Sequence, residues 1–155
     1  MEMTDAPHGE TIDVTDEIQA IGMGALSEKM GIEITEAFVN GDGHATVVGT
    51  MPVEGNTQPY GLLHGGASGV LAESLGSVAS AMTAHHALGA GYFIVGLDLN
   101  CTHHKAMRAG KVIGIATVLS AGRTLVSTQI AISDESGAPV CTARLTCLVR
   151  KAPKD

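Results

Sequence analysis

Between His64 and Ala84 the chain runs HGGASGVLAESLGSVASAMTA, and Glu73 is the only formally charged residue in those 21 positions. Val70, Leu71, Leu75, Val78 and Met82 recur at steps of 1, 3 and 4, the period of a helix with one apolar stripe. A helix so poor in charge has to be covered by other elements. Glu73 lies off the stripe. Its neighbours on that side are Gly66, Gly69, Gly76, Ser77 and Ser80, all small enough for something else to come close. Burying a carboxylate without a partner is costly. A lone acid on a strip of small residues, after a His-Gly-Gly turn, is therefore a candidate reactive group. An ordinary solvated glutamate is the alternative, and the absence of any other charge nearby weighs against it.

The flanking segments read mostly as strands. Residues 1–14 are polar, lack periodicity and are expected to be mobile. Thr15 can cap a short helix to about Ala20, with Asp16 and Glu17 in its first turn, and a second turn from Leu26 ends at Gly31. Two strands, Ile32–Val39 and His44–Pro52, are joined at Asn40-Gly41-Asp42-Gly43. Glu54–Leu63 is a loop, and the helix covers about Gly65–His85. Four strands follow: Tyr92–His104, Lys111–Ser120, Thr124–Ser133 and Pro139–Arg150. Alternation in the first of these sets Leu97, Leu99, Cys101 and His103 on one face, opposite Asp98, Asn100, Thr102 and His104. The order is that of an α+β domain over 15–150, an antiparallel sheet wrapped around one long central helix, followed by a tail at 151–155.

Composition narrows the function. At 155 residues and 45% hydrophobic, with no Trp, the chain can build one aliphatic core. Leu62–Ala84 is too broken by His64, Glu73 and small residues to span a bilayer. The start, MEMTDAPHGE, lacks the basic and apolar regions of a signal peptide, so a cytoplasmic protein is expected. Cys101, Cys141 and Cys147 lie in strand-like runs and suit small core positions in a reducing compartment. The pairs His85-His86 and His103-His104 point their rings apart and chelate poorly, so no metal is expected. Residues 1–100 carry 13 acids against Lys29 alone, and residues 101–155 carry 3 acids against eight bases. The balances of −12 and +5 make up the net charge of −7. The bases are dispersed and lack interleaved aromatics, which argues against nucleic acid and for a small phosphorylated ligand.

Gly61-Leu62-Leu63-His64-Gly65-Gly66, followed by Leu71-Ala72-Glu73-Ser74, resembles the hotdog-fold acyl-CoA thioesterases. The similarity is to the phenylacetate-degradation-like branch, which includes 4-hydroxybenzoyl-CoA and 1,4-dihydroxy-2-naphthoyl-CoA thioesterases. Val95-Gly96-Leu97-Asp98-Leu99-Asn100 and Arg144-Leu145-Thr146 support it. The resemblance implies hydrolysis of an acyl-CoA, aromatic in this branch, with no cofactor beyond the coenzyme A of the substrate. It implies Glu73 as nucleophile or general base and the Gly65 N–H as donor to the thioester oxygen. Gln58 would assist the carbonyl or water, His64 would hold the loop or contact the thioester, and Ser77 would reach the Glu73 carboxylate one turn away. Gly66 and His103 would face substrate. Arg108, Arg123 and Arg150 would hold the nucleotide of coenzyme A. The resemblance also implies a homodimer with shared sites, paired into a homotetramer as a dimer of dimers. Two other readings stay open: a hotdog dehydratase or hydratase using His64 and Glu73, and a non-catalytic acyl-CoA sensor.

Overall fold

The computed structural model describes residues 10–153. Its elements are β1 (Ile12–Asp13), α1 (Thr15–Ile21), α2 (Ala25–Met30), β2 (Glu33–Val39), β3 (Ala45–Pro52), α3 (Gly65–Leu88), β4 (Tyr92–His103), β5 (Lys111–Ala121), β6 (Leu125–Asp134) and β7 (Pro139–Lys151). The seven strands form one antiparallel sheet in the order β1-β2-β3-β5-β6-β7-β4. Helix α3 leaves β3 and returns to β4 at the far edge, packing against β2 to β7 on its way. This is the hotdog arrangement.

Paired glycines set how closely the helix lies to the sheet. Gly49 of β3 and Gly114 of β5 are register partners, and a Cβ on either would come within 2.7 Å of a Leu75 methyl. Leu75 therefore fills a hollow that two missing side chains leave. Leu71, Leu75, Ala72 and Ala79 are fully buried there. The apolar stripe read from the sequence is displaced accordingly. Leu71, Leu75 and Met82 are buried, whereas Val70 and Val78 are only partly covered. The strip of small residues is not bare either. A Cβ on Gly76 would meet Leu145 Cδ2 at 2.8 Å and Ile130 Cδ1 at 3.2 Å, so Gly76 lets β6 and β7 close on the helix.

The expected segments 1–14 and 151–155 lie partly outside the described residues, at 1–9 and 154–155. Within them, Ile12 and Asp13 pair with Val39 and Phe38, and Lys151 still belongs to β7. Thr15 is not the cap of α1. Asp13 Oδ1 accepts from the Thr15 N–H at 2.9 Å and from its hydroxyl at 2.7 Å, and these bonds, the hydroxyl first, lower the Asp13 pKa. The Thr15 hydroxyl in turn accepts from the Ala37 N–H at 2.9 Å and ties α1 to β2. Helix α2 ends as expected at Gly31, whose φ of 70° is the left-handed turn that glycine allows.

Strand β4 departs from simple alternation. Its register with β7 shifts between Gly96 and Asp98, leaving Leu97 as the extra residue of a bulge. Leu99 and Cys101 approach Gly69 of α3, and His103 approaches Gly65, on the face the alternation gives them. Leu97, expected on that face, is 61% exposed, and Gly96 faces the helix instead. The bulge switches the parity of the strand.

Since Leu75 is fully buried in a hollow only glycines can form, we expect Leu75→Ala to lower unfolding free energy by about 2–5 kcal/mol. Gly114→Ala overfills the hollow and should cost about 1–3 kcal/mol. Urea melts of both variants check this, and an unchanged midpoint for either contradicts it.

Candidate active site

The loop from Val53 to His64 is fixed by one buried asparagine. The Asn56 side-chain amide donates to the carbonyls of Met30 (2.8 Å) and Pro52 (2.9 Å), and its backbone carbonyl accepts the His64 N–H at 2.9 Å. The Leu63 N–H donates to the Met107 carbonyl at 2.7 Å, tying this loop to the one after β4. The start of α3 is thus held against the end of β4.

His64 is the N-cap of α3. Its backbone is extended (φ −66°, ψ 129°) and its Nδ1 accepts from the Gly66 N–H at 2.8 Å. The His64 carbonyl accepts from the Ala67 N–H at 2.9 Å. Gly66, expected to face substrate, thus has its N–H committed to the cap. The Gly65 N–H has no acceptor among the described residues, and it sits where the aligned peptide dipoles of a 24-residue helix give positive potential. A Cβ on Gly65 would lie 3.0 Å from His103 Nε2, so the imidazole faces the glycine with little room for a larger side chain.

Gln58 joins them. Its Oε1 accepts from the Tyr60 N–H, which leaves the Nε2 hydrogens as donors. Gln58, Gly65 and His103 line one cleft of about 420 Å³, with Leu62 and Val140 as apolar wall and Lys105 at its rim. Nothing in the sequence singles out Lys105. It pairs with Asp134, whose other oxygen accepts from the Ser136 hydroxyl (2.6 Å) and N–H (2.9 Å) and from the Ala138 N–H (2.9 Å). Lys105 foremost, then these bonds, hold the Asp134 carboxyl far below the ordinary carboxylate value. His104, just past the end of β4, also lines this cleft, and its Nε2 bonds the Thr142 hydroxyl at 2.8 Å.

Glu73 and Ser77 are elsewhere. The Glu73 carboxylate lies over Gly96 of β4, half-buried, with no ion pair or side-chain hydrogen bond among the described residues. Ser77 makes no hydrogen bond to it and lies beside the Cys147 thiol. That thiol's pKa is raised, first by burial and also by the Glu73 charge. The Cys141 thiol is pushed up to about 11 by burial and by the neighbouring Cys101. Cys141 and Cys147 are thus buried and protonated at neutral pH, as core cysteines are. No cluster of His, Cys, Asp or Glu suited to a metal occurs among the described residues, and no described helix is long and apolar enough to cross a membrane.

The arginines are dispersed. Arg108 follows β4 and lines a second cleft with Pro52, Glu54, Gly55 and Thr57. Arg123 lies in the β5–β6 turn, where the Val149 N–H donates to the Thr124 carbonyl, and Arg150 pairs with Phe93 at the far end of β7. Nine strand positions separate the His103 end of the sheet from Arg150, about 30 Å. One chain does not bring the three together.

A family model described as the thioesterase superfamily matches residues 60–141, which takes in the Gln58-adjacent loop, α3 and β4 to the start of β7. The chain belongs to the thioesterase superfamily. Among its thioesterase relatives is the proofreading thioesterase EntH of Cronobacter turicensis, 41% identical over 85% of this chain and 90% of that protein. Two solved thioesterases share the fold. One from Haemophilus influenzae is 33% identical with a TM-score of 0.77, covering 90% of this chain and 92% of its own. A mutant thioesterase from Pseudomonas aeruginosa is 38% identical with a TM-score of 0.76, covering 88% and 94%. This chain is a thioester hydrolase of that superfamily.

Asp134 gives this thioesterase an acid-labile support for Lys105. Its folded pKa lies below the ordinary 3.8, so its stabilisation is complete above that value and is lost as pH falls through the folded one. We expect Asp134→Asn to lower the melting temperature at neutral pH and to flatten its fall between about pH 4 and about pH 2. Parallel curves for the two proteins would contradict this.

Proposed function

We propose that this thioesterase hydrolyses an acyl-CoA, with an aromatic acyl group, to the free acid and coenzyme A, at a site shared by two copies of the chain. The observation that carries the reading is the separation of two groups on one helix. Gly65 offers a free N–H at the helix start, and Glu73 offers a carboxylate eight positions later, about 12 Å along the axis. Both cannot act on one thioester carbonyl within a single chain.

A second copy resolves the separation. Strand β4 is a 12-residue edge with Val95, Leu97 and Leu99 exposed, a surface that calls for another strand. Gly65 lies level with His103, and Glu73 lies level with Gly96. Antiparallel pairing of two β4 strands about an axis near Leu99 and Asn100 would set Glu73 of one copy level with Gly65 and Gln58 of the other. The same axis would carry Arg150, level with Phe93, toward the second copy's Arg108. Two such dimers would associate as a tetramer.

In that site the Gly65 N–H, and the Gln58 amide beside it, polarise the thioester oxygen. Glu73 attacks the carbonyl carbon or takes a proton from the water that does, and the coenzyme A thiolate leaves. His64 keeps the helix start in place. His103 packs on Gly65 and borders the substrate, and Ser77 lines the approach to Glu73. Arg108 of one copy with Arg123 and Arg150 of the other would neutralise the nucleotide phosphates. The aromatic acyl group rests on the resemblance to the 4-hydroxybenzoyl-CoA and 1,4-dihydroxy-2-naphthoyl-CoA enzymes. The proofreading role named for the Cronobacter relative argues for testing a panel, benzoyl-CoA and hydroxybenzoyl-CoA against fatty acyl-CoA.

Free thiol released from benzoyl-CoA measures the activity. Glu73→Gln keeps the helix and should lose about a thousandfold or more in kcat. Retention of a tenth of the wild-type value would remove Glu73 from its role. Replacing Arg108, Arg123 or Arg150 should raise KM about two- to tenfold at low salt while sparing kcat, with the difference shrinking as salt is added. Unchanged KM for all three places the nucleotide elsewhere.

A further inference from the structure

The Glu73 carboxylate rests in a notch made by a missing side chain. A Cβ on Gly96 would collide with Glu73 Oε1 and lie 3.2 Å from its Cδ. Only glycine can therefore occupy this position while Glu73 lies where it does. Conformation is not the reason, because Gly96 is absent from the glycines with positive φ. The bulge at Leu97 is what aims position 96 at the helix, and the register places Cys147 directly across from it on β7. The floor under the carboxylate is thus one glycine and one buried thiol. The influence of Glu73 on the Cys147 thiol agrees with that placement.

We propose that Gly96 is a positioning residue for the thioester hydrolysis: its absent side chain and the adjoining bulge seat the Glu73 carboxylate at the β4 edge. The inference rests on the proposed role of Glu73. A methyl group at position 96 collides with the free end of a flexible side chain and with no backbone, so the cost falls on where the carboxylate points and spares the fold. Glycine within a strand also weakens it, so alanine there leaves stability unchanged or improves it. A displacement of about 1 Å at a reacting group can cost about a hundredfold in rate.

The test is kinetic, on the full chain with benzoyl-CoA, and compares Gly96→Ala with Gly91→Ala. Gly91 precedes the same strand, and a Cβ there meets nothing within 4 Å. Gly96→Ala should melt at or above the wild-type temperature, lose about a hundredfold in kcat and change KM less than about threefold. Gly91→Ala should match wild type. In a Glu73→Asp background, whose shorter side chain withdraws the carboxylate from the Oε1 position that the new methyl would occupy, adding Gly96→Ala should cost less than about threefold. A Gly96→Ala enzyme that keeps more than a third of the wild-type kcat overturns the proposal. So does one that lowers the Glu73→Asp enzyme by the same factor as wild type, or one that unfolds, since the glycine would then serve folding and not aim. If Glu73→Gln is inactive while Gly96→Ala is active, only the positioning role falls. If Glu73→Gln itself is active, the catalytic reading falls with it.

Discussion

The short distance between α3 and the sheet is the constraint on which the molecule depends, and glycines set it from both sides. Gly49 and Gly114 open a hollow in the sheet for Leu75, and Gly76 opens one in the helix for Leu145 and Ile130. Without them the sheet could not curl around a 24-residue helix and bury Leu71, Ala72, Leu75 and Ala79 completely. Interiors packed to crystal density leave no slack for an added methyl at such points. Gly96 applies the same device to a charged group, where the missing side chain makes room for a carboxylate.

The proposed chemistry follows from where that packing leaves the helix. Its N-terminus stands against the end of β4, where the Asn56-anchored loop delivers Gln58 and the cap on His64 leaves the Gly65 N–H unspent. Its middle turns Glu73 onto the outer edge of the same strand. A donor and a carboxylate are presented to one edge, too far apart for a single chain to use together. That separation is the physical argument for the proposed shared site, in which the apolar β4 edge would join the two copies.

Much of this is legible in the sequence because periodicity and punctuation are local. The strand pair around Asn40-Gly41-Asp42-Gly43, the long helix and the four later strands fall within a few residues of their expected ends. The His-Gly-Gly start and the lone Glu73 mark the two groups on which the proposed chemistry rests. What escapes is tertiary. Alternation puts Leu97 on the helix face because a bulge leaves no mark in an alternating pattern, although an isolated glycine at 96 inside a strand is a usable signal. Gly76 and Ser80 look like an open face because nothing local says which small residue is small for a neighbour's sake. Thr15 has the residue type of a cap, whereas Asp13 supplies the bond because β1 fixes it alongside β2. Charge alone groups Arg108, Arg123 and Arg150, and only the register shows them at opposite ends of the sheet.

The shared site is tested most directly by complementation between two inactive chains carrying different affinity tags. Glu73→Gln removes the carboxylate. Gly65→Pro removes the N–H while suiting the first helical position, and the extended His64 before it accepts a following proline. Refolded together at equal amounts, the chains should recover about a quarter of wild-type kcat, because half the dimers are mixed and each holds one intact site. Purification through both tags should concentrate that activity. Doubly tagged heterodimers no more active than either parent would show that Glu73 and Gly65 do not meet across two copies, and the shared site would be refuted.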